Sequence, residues 1–312
     1  MQKNFPKPLR RAVPLRSRLR LLALSLMIPV FIVSFSQTAV AEDRVFRVLL
    51  DGNKVFPTLG ISATGIDGST TSLEVKDCLE FDHETLISAL RFEMELTMIC
   101  NVVRDADLAD RFEFVPYPNL NRAVADLEAG KADFVGESVF RSEAGQVALA
   151  SDTMIRIGDF EVGVFTTPNR LDVLSTVTQE QLRMLSGITV RAWTIDVQTL
   201  NGMGLQSVQT ARSLASIPPM IESRRADFTL SYLDRTETDH MGSMLVRVDG
   251  FRVSFSDERV FIFSPGNTSL QEAMNSFIQT NRQNPVDRIQ DAYKNSGFIV
   301  EGYDAWIDAT KP

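Results

Sequence analysis

The segment Leu127-Glu128-Ala129-Gly130-Lys131-Ala132-Asp133-Phe134 contains the junction that decides the predicted fold. Val124 and Leu127 lie on the apolar side of a short predicted helix. Gly130 ends this helix, because glycine readily adopts the left-handed conformation that closes a helix. Asp133-Phe134-Val135 then predicts a strand. A helix that passes directly into a strand is typical of α/β sheets.

Two strands and a helix precede this junction. The β-rich run 45–50 ends at the turn signal Asp51-Gly52-Asn53 and predicts the first strand. Asp82 precedes a helical pattern, and Phe112-Glu113-Phe114-Val115-Pro116 predicts the next strand. The apolar residues of that helix are spaced as one buried face requires: Leu86, Ile87, Leu90, Met94 and Met98. The order β, α, β, α, β predicts a parallel sheet flanked by helices.

The second half of the chain partly repeats this order. Ile188-Thr189-Val190-Arg191-Ala192 predicts a strand, and helices are expected near 197–203 and 217–223. Arg225-Ala226-Asp227-Phe228 then lies between a helix and a strand, as Lys131-Ala132-Asp133-Phe134 does in the first half. Basic and small residues commonly close helices, so this echo alone does not establish a repeat. Its matching position in two βαβ units indicates two similar lobes.

These motifs resemble those of family 3 extracellular solute-binding proteins, which serve polar amino acid uptake. Leu127 to Phe134 resembles that family's helix-Gly-Lys-x-Asp signature, and Ile188 to Thr194 resembles the strand that opens its second lobe. Arg225-Ala226-Asp227 matches the corresponding signature of lobe two, and Phe261-Ile262-Phe263 resembles the strand that returns to lobe one. The resemblance covers nearly all of residues 44–312. It implies an α/β, two-lobed periplasmic-binding-protein fold of type 2 with two crossovers, each lobe a mainly parallel sheet flanked by helices.

The resemblance also implies the extent of the lobes and the role of the protein. Residues 44–155 and 258–312 would form lobe one, and residues 156–257 would form lobe two. A small-molecule ligand would be bound in the cleft between them, with hinge closure as the expected motion. The ligand would then pass to the membrane permease of an ABC transporter. A ligand-sensing module for a membrane partner and a dehydratase-like enzyme are the alternatives on this fold.

The first 41 residues have the composition of a secretory signal peptide. Seven basic residues precede the apolar run 21–35, and Ala39-Val40-Ala41 supplies a small-residue cleavage site. The apolar run is shorter than the roughly 20 residues of a membrane-spanning helix. We therefore expect cleavage and a periplasmic protein with no stable membrane insertion, and an uncleaved anchor is the alternative.

Removal of this signal makes the chain strongly acidic. It leaves 25 Lys and Arg against 40 Asp and Glu, so the formal net charge falls from −8 to −15. Such a charge argues against nucleic acid and anionic membranes as partners. The 271 remaining residues are enough for one large domain or two smaller ones, and we expect a monomer.

Cys78 and Cys100 are the only cysteines. In an oxidising compartment an isolated pair is a disulfide candidate, which would stabilise the fold by about 3 kcal/mol. A straight helix of fifteen residues would hold its ends about 22 Å apart, so the stretch from Cys78 to His83 would have to run back along the predicted helix. Two buried free thiols are the alternative.

The residues that bind an amino acid in this family are not all present. Family members place an Arg in a turn after the Gly-Lys-x-Asp signature, where it binds the ligand carboxylate. That position falls on Gly145, and the nearest candidate is Arg141, which is as compatible with a solvated side chain beside Glu137 or Glu143. The same segment supplies the ligand-binding candidates Glu137 and Ser138.

The family's acidic residue for the ligand ammonium is also replaced. Tyr232 occupies that strand end and offers a ring face and one hydroxyl, so we expect a ligand with a planar or apolar portion. Trp193 and Thr194 precede a predicted helix N-terminus and are further candidates, although a Trp at a strand end is as often packed under a helix. Arg122 is the last ligand-binding candidate, and the alternative interpretation is an exposed charge on the protein surface.

No catalytic or metal site is predicted. His83 and His240 are the only histidines and have no metal-ligand spacing, and neither cysteine has a setting that would activate it. No nucleophile turn and no dinucleotide or phosphate loop occurs, so no cofactor is expected. Glu137 and Glu143 are the carboxylates nearest the expected cleft, and a carboxylate-based enzyme stays open as an alternative.

Overall fold

The structure is a computed structural model that describes residues 43–52, 54–65, 68–81, 90–146, 148–240, 242–283 and 285–311. The predicted signal peptide and His83 lie outside these residues, and residues 42–312 form one compact unit. Within the described ranges, none of the helices has the length and apolar character needed to span a bilayer.

The described chain alternates between strands and mostly short helices. Its α-helices are Arg91–Asp105 (α1), Leu120–Glu128 (α2), Leu171–Leu174 (α3), Gln179–Arg183 (α4), Thr194–Gly202 (α5), Ile217–Glu222 (α6), Thr268–Asn281 (α7) and Arg288–Asn295 (α8). Its strands are Val45–Asp51 (β1), Val55–Phe56 (β2), Ile61–Ser62 (β3), Ser72–Glu74 (β4), Arg111–Tyr117 (β5), Phe134–Val135 (β6), Val139–Phe140 (β7), Leu149–Ala150 (β8), Glu161–Thr166 (β9), Ser186–Val190 (β10), Ser207–Ala211 (β11), Phe228–Tyr232 (β12), Glu237–His240 (β13), Ser243–Ser254 (β14), Arg259–Val260 (β15), Ile262–Phe263 (β16) and Ile307–Asp308 (β17).

The first sheet has six strands in the order β4-β5-β1-β6-β16-β8. Strand β1 lies at its centre and pairs in parallel with β5 and β6, so that Val48 is opposite Phe114 on one side and Phe134 on the other. Strands β4, β16 and β8 are antiparallel additions. The predicted β, α, β, α, β order is therefore confirmed, since α1 and α2 connect the three parallel strands.

The second sheet has seven strands in the order β11-β10-β12-β9-β14-β13, and β17 pairs with β14. Strand β10 pairs in parallel with β11 and β12, with α5 and α6 in the connections, so the core of the second sheet repeats the arrangement of the first. The long antiparallel strand β14 runs beside β9, where the register shifts between Val248 and Arg252.

The chain passes twice between the two sheets. It leaves the first sheet after β8 and enters the second at β9, and it returns between β14 and β16. The final strand β17 then joins the second sheet, although residues 258–312 were assigned to lobe one. The exact lobe boundaries remain a prediction.

The repeated basic-Ala-Asp motif has the same structural role in both sheets. The N–H of Asp133 donates to the carbonyl of Arg47 at 2.8 Å, and its carboxylate accepts the N–H of Arg47 at 2.7 Å. Asp227 makes the same pair of bonds with Ser186 at the start of β10, at 2.7 and 2.8 Å. Each aspartate thus joins the strand that follows it to the central strand of the parallel part of its sheet, β1 or β10, which explains the repeated motif in physical terms.

Helix α1 begins at Arg91, and the residues Asp82, Leu86 and Ile87 of the predicted helix lie outside the described residues. Met94 and Met98 are fully buried as expected, whereas Leu90 precedes the helix in an extended conformation and is exposed. Cys78 follows a short 3-10 turn and forms a disulfide with Cys100, with the two Cα atoms 6.0 Å apart. The disulfide is therefore confirmed.

Candidate functional site

A cleft of about 660 Å³ is lined by residues of both sheets. Asp51 and Tyr117 end the parallel strands β1 and β5, while Val190 and Tyr232 end β10 and β12, and all four line the cleft. The carboxyl ends of parallel strands are where α/β proteins usually bind small molecules. This edge is therefore the candidate ligand site.

Glu137 lies on the lobe-one side of the cleft and is fully engaged by three donors. Lys54 Nζ is 2.6 Å and 2.8 Å from its two carboxylate oxygens, Arg91 Nη2 donates at 2.7 Å, and the Tyr117 hydroxyl donates at 3.1 Å. Burial alone would raise the pKa of Glu137, but Lys54 and Arg91 outweigh it and hold the pKa well below its usual range. Glu137 is thus a permanently ionised anchor for these cations.

A second carboxylate, Glu95, supports this arrangement from inside the core. It is fully buried and accepts from the Ser138 N–H at 2.9 Å and from the Tyr293 hydroxyl at 2.7 Å, and it forms an ion pair with Arg91. Burial opposes the charge of Arg91, but Glu95 and Glu137 together raise its pKa. Ser138 therefore serves the internal network through both its backbone and its side chain.

Arg259 also lies in the cleft, where Glu95 and Glu137 favour its charge but do not form an ion pair with it. Its Nε donates to Ser138 Oγ at 3.1 Å, its Nη2 donates to the Ser138 carbonyl, and its guanidinium lies 4.6 Å from the centre of the Phe140 ring. No carboxylate of the described residues lies at ion-pair distance. Burial, reinforced by the positive charge of Arg91, lowers the pKa of Arg259.

Two carboxyl groups, one from each side, meet in the same cleft. Glu143 follows β7, and the backbone N–H groups of Ile195 and Thr194 at the start of α5 face its carboxylate. Burial raises the pKa of Glu143. Burial, together with the nearby Glu143, raises the pKa of Asp196 to about 7. Arg259 acts in the opposite direction on both.

Aromatic rings form another wall of the cleft. Phe160 precedes β9 on the first crossover, and its ring stacks on Phe298 at 4.2 Å and on Phe255 at 5.2 Å between centroids. Phe255 follows β14 on the second crossover. The rings therefore join both crossovers to the segment after α8. Tyr232 contacts the same stack edge-on, 5.7 Å from Phe298.

Four of the predicted ligand-binding residues line the cleft: Glu137, Ser138, Trp193 and Tyr232. Trp193 is 41% exposed and Tyr232 is 39% exposed, so neither is packed under a helix. Both rings are therefore accessible to a molecule in the cleft. Their role in binding remains a prediction.

The other predicted residues have different surroundings. Arg141 forms an ion pair with Glu258 and donates to the Ser151 carbonyl at 3.1 Å, outside the cleft lining. Arg122 is an exposed residue of α2 that pairs with Asp126, which was its alternative interpretation. Thr194 contributes its backbone N–H, facing Glu143, at the start of α5.

Gly145, where the family would place its Arg, has a backbone that excludes a side chain. Its φ is +77°, and a Cβ at this position would lie 2.6 Å from Val124 Cγ1 and 3.0 Å from a Glu128 carboxylate oxygen. An Arg would be strained there. The backbone at Gly145 therefore disfavours any side chain at this position.

Four charged residues of the cleft were not predicted from the sequence: Lys54, Arg91, Arg259 and Asp196. Arg91 lies within the predicted helical segment and is not distinguished there from other charged residues. Lys54 and Arg259 belong to no motif. Asp196 lies in the first turn of the helix Thr194–Gly202. A polar residue directly after a predicted strand or at a helix start is the one signal that indicates Lys54 and Asp196, because such positions meet at the carboxyl edge of a parallel sheet.

No protein-family model and no curated protein matches the chain. Among solved structures it is similar to the periplasmic VFT2 domain of BvgS from Bordetella pertussis, at 14% identity, over 80% of this chain and 92% of that one, with a TM-score of 0.48. It is also similar to the amino acid ABC transporter substrate-binding protein AbpA from Streptococcus pneumoniae bound to L-arginine, at 12% identity, over 82% and 97%, with a TM-score of 0.46.

A third similar structure is the ancestral amino acid-binding protein AncCDT-1, a precursor of cyclohexadienyl dehydratase, at 14% identity, over 82% of this chain and 96% of that one, with a TM-score of 0.46. The sheet orders, the crossovers and the cleft at the strand ends define the chain as a two-lobed α/β protein with the type 2 periplasmic binding fold. The similar structures do not identify its ligand.

Proposed function

We propose that this chain is an exported, monomeric solute-binding protein that closes its two lobes on a small polar or partly aromatic ligand. The observation that carries the proposal is the cleft of about 660 Å³, which has the volume of a small-molecule site. Its aromatic wall lies on both crossovers, where a hinge would respond to a ligand. Delivery to the membrane permease of an ABC-type transporter is the partner role that we propose.

Ligand recovery and thermal stability test this function. Mass spectrometry of protein purified from the periplasm should identify a bound compound, and a metabolite panel should contain one that raises the melting temperature. A ligand at 100 times its dissociation constant stabilises the folded state by about 2.7 kcal/mol. If nothing in a broad panel shifts the melting temperature, the protein is not a solute-binding protein.

Paired variants locate the site. Trp193→Ala should weaken binding, because its exposed ring lines the cleft. Arg141→Ala should leave affinity unchanged, because its guanidinium is directed to Glu258 outside the cleft. Met184→Ala, which truncates another exposed apolar residue away from the cleft, is the control for surface effects. Equal ligand affinities in the Trp193 and Met184 variants would show that the ligand does not bind next to Trp193.

The enzyme alternative now depends on a different carboxyl group. Glu137 is held ionised by Lys54 and Arg91, so it has no proton to donate near neutral pH. Asp196 has a pKa of about 7 and lines the cleft, which suits a general acid or base. Turnover of a bound compound that is abolished in Asp196→Asn, with binding retained, would favour an enzyme.

A further inference from the structure

The cleft contains both neutralised and unpaired basic side chains. Lys54 and Arg91 line it and are neutralised by Glu137, with Glu95 as a further partner of Arg91. Arg259 and Arg212 also line it, and no described carboxylate lies at ion-pair distance from either. A buried charge is favourable only when it is paired. Glu95 and Glu137 favour the charge of Arg259, but only from beyond ion-pair distance. Arg259, the more enclosed of the two, is therefore the basic group that gains most from an anion in direct contact.

We propose that Arg259 binds an anionic group of the ligand, and that the ligand is an organic carboxylate with a planar ring. This rests on the proposed function, since it places the ligand in the same cleft. The bonds of Nε and Nη2 to Ser138 and the contact with the Phe140 ring fix the guanidinium plane. Nη1 has no acceptor among the described residues, so the outer edge of the guanidinium can donate to a carboxylate.

The aromatic wall indicates the rest of the ligand. The stack of Phe160, Phe255 and Phe298 and the exposed ring of Trp193 line the same cleft as Arg259. Ring faces and edges favour a flat partner, which gains stacking contacts in addition to burial. A saturated dicarboxylate would use Arg259 and leave these rings without a partner, so a planar ring is the better match.

The carboxyl pair makes binding of this anion depend on pH. Glu143 and Asp196 face the same space, and an arriving carboxylate would repel them when both are ionised. Arg259 favours ionisation of both groups, whereas Asp257 raises the pKa of Glu143. The bound anion raises both pKa values further, so the complex holds more protons than the free protein. Affinity should therefore increase as the pH falls through about 7.

Isosteric probes test the proposal. The probes are aromatic carboxylates beginning with benzoate, the matching amines beginning with benzylamine, and the matching alcohols beginning with benzyl alcohol. Each is titrated into the protein by calorimetry at one pH above and one pH below about 7. At least one carboxylate should bind, with net proton uptake, more tightly at the lower pH. Arg259→Gln should weaken that binding about tenfold or more, whereas Arg141→Gln should not.

Arg259→Lys keeps the positive charge and so controls for a folding defect. It should still bind the carboxylate more weakly, because an ammonium lacks the coplanar N–H donors of a guanidinium. Binding of an amine with proton release, or carboxylate affinity unchanged in Arg259→Gln, would overturn the proposal while leaving the solute-binding function intact. If no probe and no compound of the general metabolite panel binds, the proposed function fails as well.

Discussion

Single residues of the cleft differ in whether their charge is already satisfied. Glu137 and Arg91 belong to a network in which each carboxylate oxygen has a donor, so they fix the lobe-one wall of the cleft. Arg259 and Asp196 are enclosed without an ion pair, and burial lowers the pKa of Arg259 and raises that of Asp196, which favours the neutral form of each. The first group serves the fold, and the second group is free to respond to a ligand.

Replacement of the buried carboxylate Glu95 should strongly destabilise the protein. Glu95→Ala removes the acceptor of the Tyr293 hydroxyl and the Ser138 N–H and one of the two carboxylates that pair with Arg91, so the free energy of unfolding should fall by about 3–5 kcal/mol. Glu80→Ala removes an exposed carboxylate that pairs with Arg104, and the loss should be below about 1 kcal/mol. Urea denaturation measures both, and similar losses would show that the buried network has no special role.

At the scale of secondary structure, the two aspartates of the repeated motif connect parallel strands. Asp227 accepts the Ser186 N–H and pairs with Arg170 at 2.7 Å. Asp227→Ala should lower the free energy of unfolding by about 1–3 kcal/mol, because it leaves a strand N–H and a guanidinium without an acceptor. Asp105→Ala, at an exposed position of α1, is the matched control. An effect no larger than that of the control would contradict this role.

The disulfide ties helix α1 to the turn that precedes Cys78. Replacing Cys78 and Cys100 together by Ser should lower the free energy of unfolding by about 3 kcal/mol, since the bond closes a loop with a sequence separation of 22. Denaturation with and without dithiothreitol measures this. Reductant should bring the wild type to the value of the double variant and leave the variant unchanged. Equal stability of the wild type with and without reductant would contradict the assignment.

At the scale of the whole molecule, the two-lobed α/β arrangement could be predicted because short sequence motifs indicate it. Gly130 ends a helix, and the Asp133 and Asp227 motifs mark the same position in two sheets. The composition of the cleft could not be predicted in the same way. Arg259 and Asp196 come from strands and helices that are far apart in sequence and meet only when both sheets are formed.

The stability of the whole protein should depend on the protonation of Asp196. Its pKa is raised from 3.8 to about 7 on folding, so its contribution is complete below 3.8 and is lost as the pH rises toward about 7. Asp196→Asn cannot ionise and should lose less stability over this range. Unfolding free energies at a series of pH values measure the two slopes, and equal slopes would contradict the assignment.

The central claim, closure of two lobes on a ligand, is tested most directly by a distance across the cleft. Spin labels attached through Asn121→Cys in α2 and Gln198→Cys in α5 lie on exposed positions next to the first and second sheets. On addition of a compound that raises the melting temperature, the account predicts a shorter and narrower distance distribution. A compound that binds and leaves this distribution unchanged would contradict it.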